Sequence, residues 1–262
     1  ETATTLTILL NIALVPGITT VAQRMTTGID SFALLAIPFF VLAGELMNQG
    51  GVANRLVNFA KSLMGSLPGG LAYVNTLAAM LFGAISGSAV AAASAIGSVM
   101  TDRMEEEGYP RPFSAALNIT ASTTGLLIPP SNVLIVYALA SGGAASVAAL
   151  FIAGYIPGIL VGVALMIVAA VVARKRKFPR GEKVKISQVW LDFRRAFFSL
   201  LMLVIIVGGI VQGVFTATEA AAVAVLYALI LGFSYKTIRF ADLHEILLNS
   251  AKTTAIAVSY TH

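Results

Sequence analysis

The sequence predicts an all-α integral membrane protein in which transmembrane helices surround a re-entrant helical hairpin and a broken helix. Of its 262 residues, 58% are hydrophobic and only 11% are charged, whereas soluble domains carry roughly 25% charged residues. Nine of the 17 lysines and arginines fall within residues 174–195, directly after an apolar stretch. This clustering is typical of a cytoplasmic loop and argues against a nucleic-acid-binding surface. The apolar residues 75–132 are also interrupted twice by residues that break helices.

Residues 1–72 are predicted to form scaffold and arm helices. Residues 4–18 are apolar but short, and residues 31–47 reach about the 17 residues at the lower limit for crossing a bilayer. Pro38 is expected to kink this second span. Asp30 and Glu45 bracket it. We expect both carboxylates near the membrane interface, where a charge costs little, and a buried proton relay is the alternative.

Residues 50–70 differ from the spans because their apolar side chains recur at helical spacing, while Arg55 and Lys61 supply a basic side. This pattern is typical of an amphipathic helix that lies on the membrane surface. A short tilted span is the alternative.

Residues 73–141 are predicted to contain the hairpin and the broken helix. No charged residue occurs between positions 62 and 101, a length that fits either two tight spans or one re-entrant hairpin over residues 75–100. We favour the hairpin, because the basic residues before and after this segment place both of its ends in the cytoplasm. The predicted tip of the hairpin consists of Ser86, Gly87 and Ser88.

The next apolar helix, residues 113–140, is predicted to break near its middle. The breaking residues are Gly125, Pro129, Pro130, Ser131 and Asn132. Hydrocarbon cannot satisfy exposed backbone groups, so irregular backbone persists in a membrane only where it is buried in protein or lines a polar cavity. Both breaks are therefore candidate positions for a binding site.

The remaining chain is predicted to complete the membrane domain. A transmembrane helix in residues 142–174 is followed by a basic cytoplasmic loop in 175–196, a helix pair in 197–240 and the truncated amphipathic start of a further helix in 241–262. Trp190, the single tryptophan, is expected at the membrane interface.

Neutral oxygen donors surround both breaks, and no His, Cys or carboxylate occurs among them. Hydroxyl, amide and backbone carbonyl oxygens suit a hard cation, and unwound helix ends supply such carbonyls in secondary transporters. Because a divalent ion would normally require carboxylates, Na⁺ is the only metal ion predicted. The candidate sodium ligands are Ser86, Gly87, Ser88, Gly125, Ser131 and Asn132, and the candidate substrate ligands are Asn118, Thr123 and Thr124. The alternative is that these small residues serve only close helix packing.

Five ordered blocks run through nearly the whole chain. They are IPFFVLAGELM (37–47), LFGAISGSAVAAASAIGSVM (81–100), GLLIPPSN (125–132), AGYIPGIL (153–160) and GVFTATEAAAVAVLYAL (213–229). Together they resemble the large membrane (M) subunit of tripartite ATP-independent periplasmic (TRAP) transporters, and most of all its sialic-acid branch. The family usually has proline where this chain has Ala217, so a kink at that position is left open.

The resemblance implies a sodium symporter that imports an organic acid of the sialic acid or C4-dicarboxylate type by an elevator motion. It implies that the chain is the N-terminal part of the subunit, comprising the first of two inverted repeats and the start of the second. The implied partners are a periplasmic substrate-binding protein, a small membrane (Q) subunit, the remainder of the M subunit and the lipid bilayer of the bacterial inner membrane.

Other functions are weighed against this one. An enzyme is not expected, because His244 and His262 are the only histidines and neither has a catalytic partner in the sequence. A passive ion or solute channel subunit, or a purely structural packing subunit, remains as an alternative, although breaks at mid-membrane favour alternating access.

Glu219 is interpreted as a helix-start residue. Together with Thr218 it is expected to begin a helix over residues 220–231, because a carboxylate stabilises the positive end of a helix. A polar anchor between scaffold and moving domain is the alternative.

Overall fold

The computed structural model describes residues 16, 19, 32–141, 144–181 and 184–261, and within these ranges it contains helices but no β-strand. The predicted all-α class is therefore confirmed. Ten α-helices are numbered here in chain order: α1 (Ala36–Gln49), α2 (Val52–Met64), α3 (Gly70–Ser86), α4 (Ala89–Glu106), α5 (Arg111–Ser122), α6 (Asn132–Ala140), α7 (Val147–Arg176), α8 (Ile186–Val211), α9 (Ala217–Ser234) and α10 (Asp242–Thr261).

Helix α1 packs between α9 and α10 and is buried around most of its circumference. A 3₁₀ turn at Phe32–Leu35 precedes it, so Pro38 lies in the first turn of α1, where its missing N–H costs little. Instead of the kink predicted at Pro38, the structure shows a change from 3₁₀ helix to α-helix just before this residue. The predictions for residues 4–18 and for Asp30 fall outside the described residues.

Helix α2 is amphipathic, as its sequence indicates, but its apolar face is turned toward protein. Leu56, Val57 and Ala60 are fully buried, and the helix packs mainly against α3 and α8. Burial inside the bundle is therefore sufficient to explain the apolar spacing that was interpreted as membrane-surface binding.

Helices α3 and α4 form the two arms of the hairpin, and the helix break between them lies at the predicted tip. The chain reverses at Gly87, whose backbone is left-handed (φ +65°), a conformation that only glycine adopts without strain. Ser88 then caps α4 with its hydroxyl, which accepts a hydrogen bond from the Ala91 amide (3.3 Å). Both arms extend beyond the predicted range of residues 75–100.

The helix predicted over residues 113–140 is also broken in the structure. Helix α5 ends at Ser122 and tightens into a 3₁₀ turn at Thr123–Leu126, after which an irregular segment of residues 127–131 leads to α6. Ser131 caps α6 through a hydrogen bond from the Leu134 amide (3.4 Å).

Three of the described helices are long and apolar enough to cross a bilayer: α7 with 30 residues, α8 with 26 and α9 with 18. Helix α7 packs closely on the broken helix, because its glycines allow it to approach the backbone of residues 127 and 128. The contacts join Gly154 to Leu127 and Gly158 to Ile128.

The basic segment predicted as a loop over residues 175–196 is largely helical. Helix α7 continues to Arg176 and α8 already begins at Ile186. Asp192 and Ala196 are buried in the first three turns of α8, and Gln188 Nε2 donates to Asp192 Oδ1 one turn ahead (3.0 Å). Helical spacing of buried residues thus persists here despite the density of positive charge.

One end of the bundle, which we call the basic end, gathers the C-termini of α2, α4 and α7 and the segment of residues 177–181. Tyr109 packs against Phe178 (ring centroids 4.3 Å apart), and the Gly69 amide donates to the Pro179 carbonyl (3.0 Å). Burial, with a smaller effect of the Glu107 charge, raises the pKa of Tyr109 to about 12, so this ring stays neutral. The two ends of the hairpin therefore lie beside the basic segment, the arrangement from which the hairpin was predicted.

Candidate functional site

The two breaks meet through their backbones. The Asn132 amide donates a hydrogen bond to the Gly87 carbonyl oxygen (3.2 Å). A Cβ atom added at Gly87 would lie 2.8 Å from the Pro130 carbonyl oxygen, which is too close for any other residue. The tip of the hairpin is thus seated directly on the irregular segment that precedes α6.

A second crossing fixes α3 on the 3₁₀ turn of the broken helix. A Cβ atom added at Gly83 would lie 2.6 Å from the Gly125 Cα atom. Backbone therefore touches backbone, and the small residues at this crossing do serve close packing, as the alternative interpretation holds. The packing and a binding function are compatible, because the breaks beside this crossing also bury the polar residues Ser86 and Ser131.

The serine hydroxyls at the breaks shape the turns. Ser86 is fully buried, and its Oγ donates to the Ser88 carbonyl oxygen (3.3 Å) and accepts from the Ser88 amide (3.4 Å). Ser131 Oγ donates to the Leu126 carbonyl oxygen (2.6 Å). In each case the hydroxyl holds an unwound segment in place.

Asn132 contributes an oxygen that the protein leaves unused. Its Oδ1 atom is buried and has no hydrogen-bond partner among the described residues. Because a buried carbonyl oxygen without a partner costs about 1–3 kcal/mol, this atom is the strongest indication of a missing ligand at the meeting of the breaks.

The three candidate substrate ligands do not share one surface. Asn118 Nδ2 donates to the Ala93 carbonyl oxygen (2.7 Å) and so braces α5 against α4, while its Oδ1 atom is buried and no described residue bonds to it. Thr123 is exposed and Thr124 is fully buried. Each threonine hydroxyl donates to a carbonyl of its own helix, at 2.7 Å and 2.6 Å respectively.

A cavity of about 130 Å³ lies between the hairpin tip, α1 and α10. Its polar lining consists of Glu45, Asn48, Ser86, Ser88, Ser94 and Thr253, and its apolar lining of Val41, Val90 and Ala91. Helix α1 touches the tip directly, since a Cβ atom added at Gly44 would lie 3.0 Å from Ser86 Cβ. Glu45, which sequence analysis placed near the membrane interface, therefore stands beside the hairpin tip.

One feature of the sequence indicates the position of Glu45. Val41, Glu45 and Asn48 follow each other at intervals of four and three residues, which puts them on one face of a helix.

In the parts of the chain that the structure describes, no group of three or more His, Cys, Asp or Glu side chains could hold a metal ion. A cation near the tip would therefore be held by neutral oxygens, with Glu45 as the only carboxylate in the cavity lining.

Glu219 belongs to a capping box at the start of α9. Its Oε2 atom accepts from the Thr216 amide (2.8 Å) and from the Thr216 hydroxyl (2.8 Å), and the Glu219 amide donates to Thr216 Oγ1 (3.3 Å). The helix-start interpretation is supported, but the capping residue is Thr216 rather than Thr218, and the helix begins at Ala217.

Comparison with known proteins gives the chain a family. Residues 2–260 match the family described as "Tripartite ATP-independent periplasmic transporter, DctM component". The uncharacterized protein YgiK of Salmonella typhimurium is 55% identical over 94% of this chain and 57% of its own length. The C4-dicarboxylate TRAP transporter large permease protein DctM of Rhodobacter capsulatus is 41% identical over 97% of this chain and 60% of its own length.

A relative named for another substrate is equally similar. The sialic acid TRAP transporter large permease protein SiaM of Vibrio cholerae is 44% identical over 92% of this chain and 56% of its own length. The chain thus spans a little more than half the length of each of these three relatives. DctM and SiaM are named as permeases and not as enzymes. The match over nearly all of its residues, together with the three apolar helices, shows that this chain is an integral membrane protein belonging to the DctM family of TRAP transporter large permeases.

Proposed function

We propose that the chain forms part of a sodium-coupled symporter that imports an organic acid across the bacterial inner membrane by elevator-type alternating access. In this proposal a periplasmic substrate-binding protein delivers the substrate. A small membrane (Q) subunit and the remainder of the large subunit complete the membrane complex.

The observation that carries the proposal is the meeting of the two breaks. Gly87 and Asn132 are joined through their backbones, and the Asn132 side-chain oxygen is buried beside them without a partner in the part of the chain that the structure describes. Neutral oxygens in an enclosed, irregular segment are suited to Na⁺, which needs no carboxylate for charge balance when a carboxylate substrate binds nearby. The sodium site is therefore proposed among Ser86, Gly87, Ser88, Gly125, Ser131 and Asn132.

The substrate class follows from the relatives and from the helix ends at the site. Relatives are named for C4-dicarboxylates, sialic acid and 2,3-diketo-L-gulonate, all of which carry a carboxylate. Ser88 and Ser131 cap the N-termini of helices α4 and α6, and the positive ends of helices bind anionic groups through backbone amides. An organic anion could thus be bound here without a basic side chain, and none lines the cavity at the tip.

The proposed site is tested in the complete transporter by the substitutions Ser86→Ala and Ser88→Ala. Each removes one neutral oxygen, worth about 1 kcal/mol or somewhat more toward a charge, so the sodium concentration for half-maximal uptake is expected to rise roughly fivefold to tenfold. Ser98→Ala is the matched control, because Ser98 lies in α4, the helix that Ser88 caps, and among the described residues its hydroxyl bonds only to the Ala95 carbonyl of that helix (3.0 Å).

The same assay separates the proposal from its alternatives. A symporter accumulates substrate against its gradient only while a sodium gradient is present, whereas a passive channel equilibrates it. Unchanged sodium dependence in a normally expressed Ser86→Ala/Ser88→Ala double variant would mean that the hairpin serves only packing.

A further inference from the structure

Glu45 occupies a position that the proposed sodium site does not use. It lies on the face of α1 that carries Val41 and Asn48, and this face lines the cavity of about 130 Å³ at the hairpin tip. No residue of the broken helix lines that cavity. The cavity is therefore distinct from the meeting of the two breaks and shares with it only Ser86 and Ser88.

No residue that the structure describes balances the charge of Glu45. Among the described residues Glu45 has neither a hydrogen bond nor an ion pair, and no Lys, Arg or His lines the cavity. The carboxylate is also partly buried, and taking a carboxylate out of water without a counter-charge is unfavourable. A positive ligand in the cavity would remove this imbalance.

The other polar groups of the cavity are all oxygen donors or can present an oxygen. Hydroxyls come from Ser86, Ser88, Ser94 and Thr253, and Asn48 supplies an amide oxygen. Such oxygens suit a hard cation, and a single carboxylate matches one positive charge, whereas sites for divalent ions usually have several carboxylates. Ser94 is exposed at the rim, so an ion can enter without a rearrangement of the core.

We propose that Glu45, Asn48, Ser86, Ser88, Ser94 and Thr253 form a second monovalent-cation site between α1, α10 and the hairpin tip, and that this site takes Na⁺. The inference deepens the proposed sodium coupling and rests on it for the choice of ion. Because α1 and α10 pack against each other and α1 packs on α9, an ion in this cavity bridges that group of helices to the hairpin.

The test measures Na⁺ binding directly in the complete detergent-solubilised transporter with its partner subunits. NaCl is titrated against choline chloride at constant ionic strength, and the rise in melting temperature reports binding to the folded state. Glu45→Gln keeps the shape of the side chain and removes its charge. We expect its apparent sodium affinity to fall by roughly tenfold or more, because a charged ligand contributes more to the binding of a cation than a neutral ligand does.

Two further variants serve as a control and as a second test of the cavity. Glu105→Gln removes an exposed carboxylate at the end of α4 that does not line the cavity, and it should keep the wild-type sodium response. Ser94→Ala removes a rim hydroxyl of the cavity and should weaken the response by a smaller factor, even if Glu45→Gln lowers the yield of folded protein.

The outcomes distinguish the two sites. If Glu45→Gln and Ser94→Ala both fold and both retain the wild-type sodium response, the inference is overturned, while the proposed function is still judged by Ser131→Ala and Asn132→Ala. If Ser131→Ala and Asn132→Ala keep the wild-type sodium response and Glu45→Gln loses it, the site at Glu45 is supported and the site proposed at the two breaks is wrong.

Discussion

Gly87 is the residue on which the contact between the two breaks depends most directly. Its left-handed backbone would strain any other residue, and its missing side chain leaves room for the Pro130 carbonyl. The backbone of Gly108, in the turn after α4, is also left-handed (φ +84°). Unlike Gly87, however, Gly108 has no atom within 4 Å of an added Cβ atom among the described residues. The two glycines therefore allow backbone strain to be separated from contact.

We predict that Gly108→Ala lowers the free energy of unfolding by about 1 kcal/mol through backbone strain alone. Gly87→Ala should cost about 1–3 kcal/mol more, because the added methyl group forces the tip away from the broken helix. Unfolding of both variants in mild detergent, followed by circular dichroism, measures the difference. Equal losses in the two variants would show that the tip is not seated on Pro130.

At the scale of the helix, the sequence is informative where the cause of a feature is local. Gly, Pro and Ser break helices through their own backbone preferences, so the breaks at Gly87 and Gly125 could be predicted. The start of α8 could not, because it follows the dense positive charge of residues 175–185, and the helical spacing of buried residues begins only at Asp192, after the helix has started at Ile186.

The site is only partly predictable for the same reason. Candidate ligands such as Ser131 and Asn132 are visible as oxygen donors beside a break. That Glu45 lies beside the hairpin tip depends on the contact between Gly44 and Ser86, which joins distant parts of the chain and leaves only the helical spacing around Glu45 as a local signal.

The first turn of α9 carries a prediction of its own. Ala217 is the first residue of the helix, and Thr216 before it has an extended backbone (ψ 164°), which is the conformation that proline requires of its predecessor. Ala217→Pro is therefore expected to be tolerated without a kink and to stabilise the protein by about 0.4–1 kcal/mol. Ala221→Pro, one turn further on, removes an intrahelical hydrogen bond and should cost about 3 kcal/mol.

Thermal unfolding of the two proline variants, compared with the wild type, checks this expectation. A loss of stability in Ala217→Pro as large as that in Ala221→Pro would mean that α9 begins earlier than Ala217.

At the scale of the whole molecule, the basic end gives the protein an orientation. The end of α4, residues 179–181 and Lys61 line one cavity of about 770 Å³, so they lie on the same side of any membrane that the long helices cross. Basic residues near the ends of transmembrane helices favour the cytoplasmic side. The turn between α8 and α9, which contains Val214, lies at the far end of α8.

The chain has no cysteine, so single cysteines can report this orientation. We predict that Glu106→Cys and Lys177→Cys react with a membrane-impermeant thiol reagent only from the cytoplasmic side. Val214→Cys, at an exposed position, should react only from the opposite side. Labelling of positions 106 and 177 from opposite sides would exclude the hairpin.

The hydrogen bond from Asn132 to Gly87 also sets an order of events during synthesis of the protein. Asn132 leaves the ribosome about 45 residues after Gly87, which at about 5–20 residues per second corresponds to a delay on the order of 2–9 s. During that interval the carbonyl of Gly87 has no partner, and hydrocarbon cannot supply one. We therefore expect the nascent hairpin to keep its tip in contact with water or with another protein until α6 has been made, so this segment inserts only after α6 has left the ribosome.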